Sequence, residues 1–174
     1  MQTFAYQTPA SVADALKAAG EGDARLIAGG QSLLASMKLG LAAPETLVDL
    51  GKVPGLDGIT VEGDRVVIGA MATHAAVAAS AEVRRAIPAL AFLADHIGDR
   101  QVRNRGTIGG SLANNDPAAC YPAAVLGLGA IIKTDRREIA ADDFFKGLYE
   151  TALGDDGKGP ELIVSVAFPI PQRA

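Results

Sequence analysis

Apolar positions along the first fifty residues follow two alternating periods. In "SVADALKAAG", Val12, Ala15, Leu16 and Ala19 fall on one helical face. Ser11 stands where a cap is needed and Asp14 follows three residues on, a weaker relative of the capping box, while Gly20 stops the helix. "ARLIAGG" then reads as a short buried strand running into a glycine turn. "SLLASMKLG" reads as a helix opening directly after that turn, and "ETLVDL" as a second strand. Helix alternating with strand predicts a small parallel α/β lobe.

The texture changes near Pro54. "GITVEGDRVVIGA" predicts two short strands about Gly63-Asp64, a hairpin signal. "THAAVAASAEVRRAIPALAFLADHIG" is Ala-rich and helical, with a break at Pro88. "YPAAVLGLGA" reads as a packed helix, and "AIIKTDRREIAADDFF" as a hairpin-like pair about Asp135-Arg136. "GDDGKGPE" is expected to be an exposed loop, and "ELIVSVAFPIP" a last strand stopped by Pro169 and Pro171. The fold class expected is therefore α+β in two lobes: residues 1–55, small and parallel, and residues 56–174, larger and mixed. One stretch has neither period: "GTIGGSLANNDPAACYP", Gly106 to Pro122.

Composition narrows the classes. The 174 residues are 49% hydrophobic and 21% charged, enough for one compact domain or two small lobes sharing a core. Aromatics make up 5% and Trp is absent, so an aliphatic core is expected. A net charge of −4 and no run of Lys/Arg argue against a nucleic-acid footprint and give no strong membrane signal. The densest basic cluster, "DRQVRNRG", reads as a solvated face or as a surface for an anion or a partner. A single cysteine, Cys120, rules out an internal disulfide and any Cys/His set of zinc or iron–sulfur spacing. It is expected to be a small buried hydrophobe. His74 and His96 lack a catalytic partner pattern and are expected at the surface or at helix caps. "MQTFAYQTPASVADAL" has no secretory pattern and no apolar run has spanning length, so a cytoplasmic protein is expected.

The candidate chemistry lies in two glycine pairs. Adjacent glycines let a chain turn sharply and bring main-chain N–H groups close to a ligand, and successive N–H groups make a concave anion site. "LIAGGQSLL" runs strand, double glycine, hydroxyl, helix. "GTIGGSLAN" has the same ingredients, with Thr107, Gly109, Gly110, Ser111 and Asn114 as donors. Neither pair has the lysine of a phosphate-binding G-x-x-x-x-G-K-[ST] loop or the spacing of G-x-G-x-x-G. Two such segments, one per lobe, suggest a ligand held between lobes at its pyrophosphate, as a dinucleotide such as FAD would be.

"AGGQSL" followed by "TIGGSLANNDPAA" resembles the FAD-binding medium subunit of the molybdenum hydroxylases, the family of aerobic carbon monoxide dehydrogenase and of the flavin domain of xanthine dehydrogenase. "FAYQTPASVADAL", "VVIGAMATH" and "DDFFKGLYETAL…ELIVSVAFP" extend the resemblance along nearly the whole chain. It implies the two-lobed FAD-binding fold of the vanillyl-alcohol oxidase and MurB-like flavoproteins. It also implies FAD contacts from Leu26, Ile27, Ala28, Gly29, Gly30, Gln31, Ser32 and Leu33. A second set would be Gly106, Thr107, Ile108, Gly109, Gly110 and Ser111, with Asn114, Asp116, Ile97 and Ile163 nearby. The family's work is electron transfer: FAD takes electrons from the [2Fe-2S] clusters of a small subunit, which receive them from a large molybdopterin subunit, and passes them to an external acceptor. Those partners imply a heterotrimer or its dimer, no catalytic residue on this chain, and no bound metal. The alternative reading is a non-redox nucleotide-binding or scaffolding subunit of the same fold. Two departures follow from the resemblance: a thiol, Cys120, stands where most relatives carry an acid, and the C-terminal domain that covers the flavin in relatives is expected to be absent. His74→Ala is expected to leave flavin content unchanged.

Overall fold

The computed structural model describes residues 2–172. The parallel sheet forms from β1 (Ala5–Gln7), β2 (Ala24–Ile27) and β3 (Thr46–Asp49), in the order β1-β3-β2. Both pairings onto β3 are parallel, with Tyr6 and Arg25 each opposite Leu47. Parallel neighbours require crossovers, and two helices supply them: α1 (Val12–Ala19) and α2 (Leu33–Lys38). Ser11 caps α1, its Oγ accepting from the Asp14 N–H at 3.1 Å. β1 is a strand that hydrophobic patterning misses, because its three residues are all exposed.

A second, antiparallel sheet contains β4 (Ile59–Glu62), β5 (Arg65–Gly69), β6 (Ile131–Thr134), β7 (Glu138–Ala140) and β10 (Ile163–Pro169), in the order β4-β5-β10-β6-β7. The two expected hairpins are both present, the first turning at Gly63 with φ +62°. β10, last in sequence, lies between them and pairs antiparallel with β5 and β6. Pro169 closes β10 opposite Arg65. A small hairpin of β8 (Phe145–Gly147) and β9 (Glu150–Thr151) was not legible in the sequence.

The long Ala-rich segment forms three helices: α3 (His74–Ala79), α4 (Ala81–Ala86) and α5 (Pro88–Asp95). Pro88 opens α5 at its first turn, as expected, but a further break occurs at Ser80. The Ser80 hydroxyl accepts from the Val83 N–H at 3.2 Å, competing with helix continuation. Beyond them lie α6 (Arg100–Arg103), α7 (Ile108–Asn114), α8 (Cys120–Gly127) and α9 (Ala141–Phe144). His96 caps the C-terminus of α5, as expected, with its Nδ1 2.8 Å from the Phe92 carbonyl.

Apolar packing follows the two sheets. Val66, Ile68, Ile132, Val166 and Phe168 of the antiparallel sheet are fully buried against α3, α4, α5, α7 and α8 in one large cluster. Two smaller clusters serve the parallel sheet, one around Ala15, Val48 and Leu50, the other around Ile27, Met37 and Leu47. Leu162, just before β10, is buried in the first of these. The core is mainly aliphatic, as the composition implies, with Tyr121, Phe144 and Phe168 its buried aromatics.

Candidate functional site

Between the parallel sheet and α7 runs a cleft of about 740 Å³. Its first wall is built where β2 ends. Ala28, Gly29 and Gly30 turn the chain, Gly30 at φ +73°, and α2 begins at Leu33. The N–H groups of Gly29, Gly30, Gln31, Ser32 and Leu33 donate to no acceptor among the described residues. Ser32 precedes α2 without a side-chain capping bond, so its hydroxyl is also uncommitted. Gln31 folds back instead, its Nε2 donating to the Gly29 carbonyl at 3.2 Å.

The second wall is α7, and here the expectation of free main-chain donors fails for every residue from Gly106 to Ser111 except Thr107, whose N–H donates to no acceptor among the described residues. The Ile108 N–H donates to Ala72 O at 3.1 Å and the Gly109 N–H to Ala70 O at 2.9 Å. Thr107 caps the helix, its Oγ1 accepting from the Gly110 N–H at 3.1 Å, and the Ser111 N–H returns to Thr107 O at 3.0 Å. The Gly106 N–H is taken by Val102 O at 2.7 Å. This glycine pair therefore lies inside a helix whose first turn is satisfied by its cap and by the β5–α3 connection. What it offers the cleft are the Thr107 N–H and side chains, notably Ser111 and Asn114.

The glycines of both walls have a steric purpose that the sequence alone did not reveal. A Cβ on Gly29 would overlap the Arg105 carbonyl and stand 2.7 Å from Gly106 Cα. A Cβ on Gly109 would meet the Ala70 side chain at 2.6 Å, and one on Gly110 would stand 3.4 Å from Ala28 Cβ. The two segments thus touch backbone to backbone across the cleft's floor.

Of the eighteen residues expected at the site, seventeen line the cleft: Leu26 through Leu33, Ile97, Gly106, Thr107, Gly109, Gly110, Ser111, Asn114, Asp116 and Ile163. Ile108 does not. It is fully buried in the large core cluster, because its place in the first turn of α7 points it away from the cleft. Cys120 is exposed rather than buried and does not line the cleft, although Ala119 does. Its place in the first turn of α8 puts it at the surface.

Three further contributions were missed. His74 lines the cleft and is 5% exposed, contrary to the expected surface or capping role, because it follows the true cap, Thr73, into the wall behind Gly106. Burial lowers its pKa to about 4, so the ring is neutral at neutral pH. Met71 and Leu50 add apolar wall. The "GDDGKGPE" loop is largely exposed, as expected, but both its ends reach the cleft: Gly154, Pro160 and Glu161 line it. The Glu161 side chain is fully buried and accepts from Arg137 Nε at 2.8 Å, Thr134 Oγ1 at 2.7 Å and the Gly154 N–H at 2.9 Å. Burial opposes its charge, but the hydrogen bonds from Arg137, Gly154 and Thr134 prevail and hold its pKa at about 2. In the basic cluster, Arg103 donates to the Gly98 carbonyl at 2.9 Å, and Arg100 and Arg103 border a separate cavity of about 220 Å³.

The cleft fits an elongated anionic ligand. A row of unpaired N–H groups can meet phosphate oxygens, and the missing side chains at the first turn let a ligand approach the backbone. Apolar walls at Leu26, Ile97, Leu162 and Ile163 suit planar rings. Among the described residues no group of His, Cys, Asp and Glu could hold a metal ion, and no helix is long and apolar enough to cross a membrane.

Fold and cleft together define a mixed α/β domain shaped to hold a cofactor along paired glycine segments. Residues 2–171 match the family described as the FAD binding domain in molybdopterin dehydrogenase, and the chain belongs to that family, whose cofactor is FAD. It is 43% identical over 169 residues to the nicotine 6-hydroxylase medium subunit of Paenarthrobacter nicotinovorans, covering 94% of this chain and 58% of that one. To the carbon monoxide dehydrogenase medium chain of Hydrogenophaga pseudoflava it is 42% identical over 172 residues, covering 95% and 58%. Among solved structures, a carbon monoxide dehydrogenase from the same organism superposes with a TM-score of 0.92 at 41% identity, over 98% of this chain and 60% of that one. Quinoline 2-oxidoreductase from Pseudomonas putida 86 gives a TM-score of 0.91 at 38% identity, over 98% and 60%. The chain spans about three fifths of the length of these relatives.

Proposed function

We propose that this chain is the FAD-holding part of the medium subunit of a molybdenum hydroxylase. In this reading it conducts electrons from the [2Fe-2S] clusters of a small partner subunit to an external acceptor. The observation that carries it is the row of unpaired N–H groups from Gly29 to Leu33 at the floor of the cleft, facing Ser111 and Asn114. Bound FAD supplies two-electron chemistry that also accepts single electrons, a capacity no side chain of the cleft provides. The chain's own task is then to bind and orient: main-chain donors of the first segment hold the pyrophosphate, and Ser111 and Asn114 face it from α7. Leu26, Ile97 and Ile163 exclude water from the rings.

The finer fold reading is the two-lobed arrangement of the vanillyl-alcohol oxidase and MurB-like flavoproteins, with lobes at residues 1–55 and 56–174. Separate sheets with separate apolar clusters support it. The expected partners are a large molybdopterin subunit and a small iron–sulfur subunit, in a heterotrimer or its dimer, in the cytoplasm. The non-redox alternative gains nothing from the relatives, which by name are subunits of hydroxylases and dehydrogenases.

Reconstitution with FAD followed by a visible spectrum tests the cofactor. Flavin bands that stay with the protein through gel filtration are expected, and their absence would sink the reading. Purification from native cells tests the assembly: molybdenum and iron–sulfur subunits should accompany the chain, and substrate turnover by the chain alone would contradict an electron-transfer role.

A further inference from the structure

His74 is the cleft-facing side chain whose polarity the fold leaves unexplained. Its main-chain N–H donates to Gly106 O at 3.0 Å, and Thr73 caps α3 just before it, Oγ1 accepting from the Ala76 N–H at 3.1 Å. The backbone is therefore fixed on both sides. So is the ring. Tyr121 packs against it with ring centroids 5.3 Å apart, and Nε2 faces Gly106, where a Cβ would stand 2.5 Å away. The missing side chain at Gly106 gives this nitrogen its place in the wall.

A neutral imidazole carries one proton on one of two nitrogens. Nδ1 is sealed with no hydrogen-bond partner among the described residues. A sealed N–H without an acceptor is rarer than a sealed lone pair, so the proton belongs on Nε2, beside the second glycine segment. That segment is the one whose main-chain donors, Thr107 excepted, are consumed inside the protein. Phenylalanine would fill the same space with no sealed polar atom, so an imidazole here is costly unless a ligand engages its other nitrogen. We propose that His74, as the Nε2–H tautomer, donates a hydrogen bond to an oxygen in the phosphate–ribose portion of FAD lying against Gly106 and Thr107. The proposal rests on the reading of the cleft as the FAD site, adds a cofactor-binding residue to it, and reverses the expectation from sequence that removing this histidine leaves flavin content unchanged.

The chain has only two histidines, so protein labelled with nitrogen-15 at histidine shows two imidazoles, and H96N identifies the other. His74 should report the Nε2–H tautomer before FAD is added. On saturation with FAD its Nε2 signal should shift and its proton become protected from exchange. H74F should bind FAD roughly tenfold to a hundredfold more weakly, at a melting temperature close to the native one. H74Q, whose Nε2 reaches nearly the same point, should recover most of the affinity. FAD uptake with an unchanged His74 signal overturns the proposal, as does H74F binding FAD as tightly as the native protein. The native spectrum decides even where a variant does not fold. Failure of the native protein to take up FAD at all would instead remove the FAD-site reading, and the proposal with it.

Discussion

Gly29 and Gly110 look alike in sequence and should behave differently when changed. Gly29→Ala forces a Cβ into the Arg105 carbonyl, a backbone group with nowhere to go, and should cost about 3 kcal/mol in a denaturant titration. Gly110→Ala meets only Thr107 Oγ1 at 2.9 Å and Ala28 Cβ at 3.4 Å, and gains helix propensity in return. Its stability should change by less than about 1 kcal/mol while FAD affinity falls by more. Equal affinity would show that this glycine serves packing alone. Two buried titratable groups set the acid limit. His74 has a folded pKa near 4 against an ordinary 6.5, so its contribution is intact above pH 6.5 and is lost as pH falls toward 4. Glu161, held near 2, contributes above its ordinary 4.5 and loses that contribution as pH falls through 2. Native melting curves should therefore decline in two acid stages, and Glu161→Gln should remove the lower one. The glycine pairs and their neighbours were legible at this scale because backbone-approaching residues have few other uses. His74 was not, since one imidazole in an Ala-rich helix carries no period, and its burial depends on Gly106, thirty-odd residues away.

At the scale of elements, α7 ties the cleft to the rest of the fold through its C-terminus. Asn115 closes it in the left-handed conformation, φ 45°, and its Nδ2 donates to both Gly147 O and Glu150 O at 2.8 Å. The β8–β9 hairpin is thereby pinned to α7. Asn115→Gly keeps the conformation but loses both bonds, at a cost of about 1–3 kcal/mol, whereas Asn115→Ala adds roughly 1 kcal/mol more for the strained backbone. Chemical denaturation of the two variants side by side separates these contributions, and equal losses would mean that the left-handed turn costs alanine nothing. Strand and helix identities were largely readable, because alternation of apolar residues and capping chemistry are local. The hairpin was invisible for the opposite reason: β9 has two residues, and a side chain from a distant helix end holds it. The buried fate of Glu161 escaped notice likewise. Only its meeting with Arg137, twenty-four positions earlier, makes burial tolerable.

For the whole molecule, ligand binding and folding are linked. FAD at a hundred times its dissociation constant should raise stability by about 2.7 kcal/mol, seen as a higher melting temperature, and Gly29→Ala should lose much of that gain. A melting temperature indifferent to FAD would mean that the ligand does not prefer the folded cleft. Strand order was the feature least available to sequence reasoning. Nothing in "ELIVSVAFPIP" says that it separates the two hairpins at residues 59–69 and 131–140, since the same apolar run would serve equally well at an edge. That placement reaches beyond the finished protein. While the polypeptide is being synthesised, the β4–β5 and β6–β7 hairpins exist before β10 does, each with an edge waiting for a neighbour. The antiparallel sheet closes only after residue 169 has left the ribosome. Until then the nascent chain offers two sticky ribbons to any passing strand, and ribosome-bound holding factors have most reason to act in that interval.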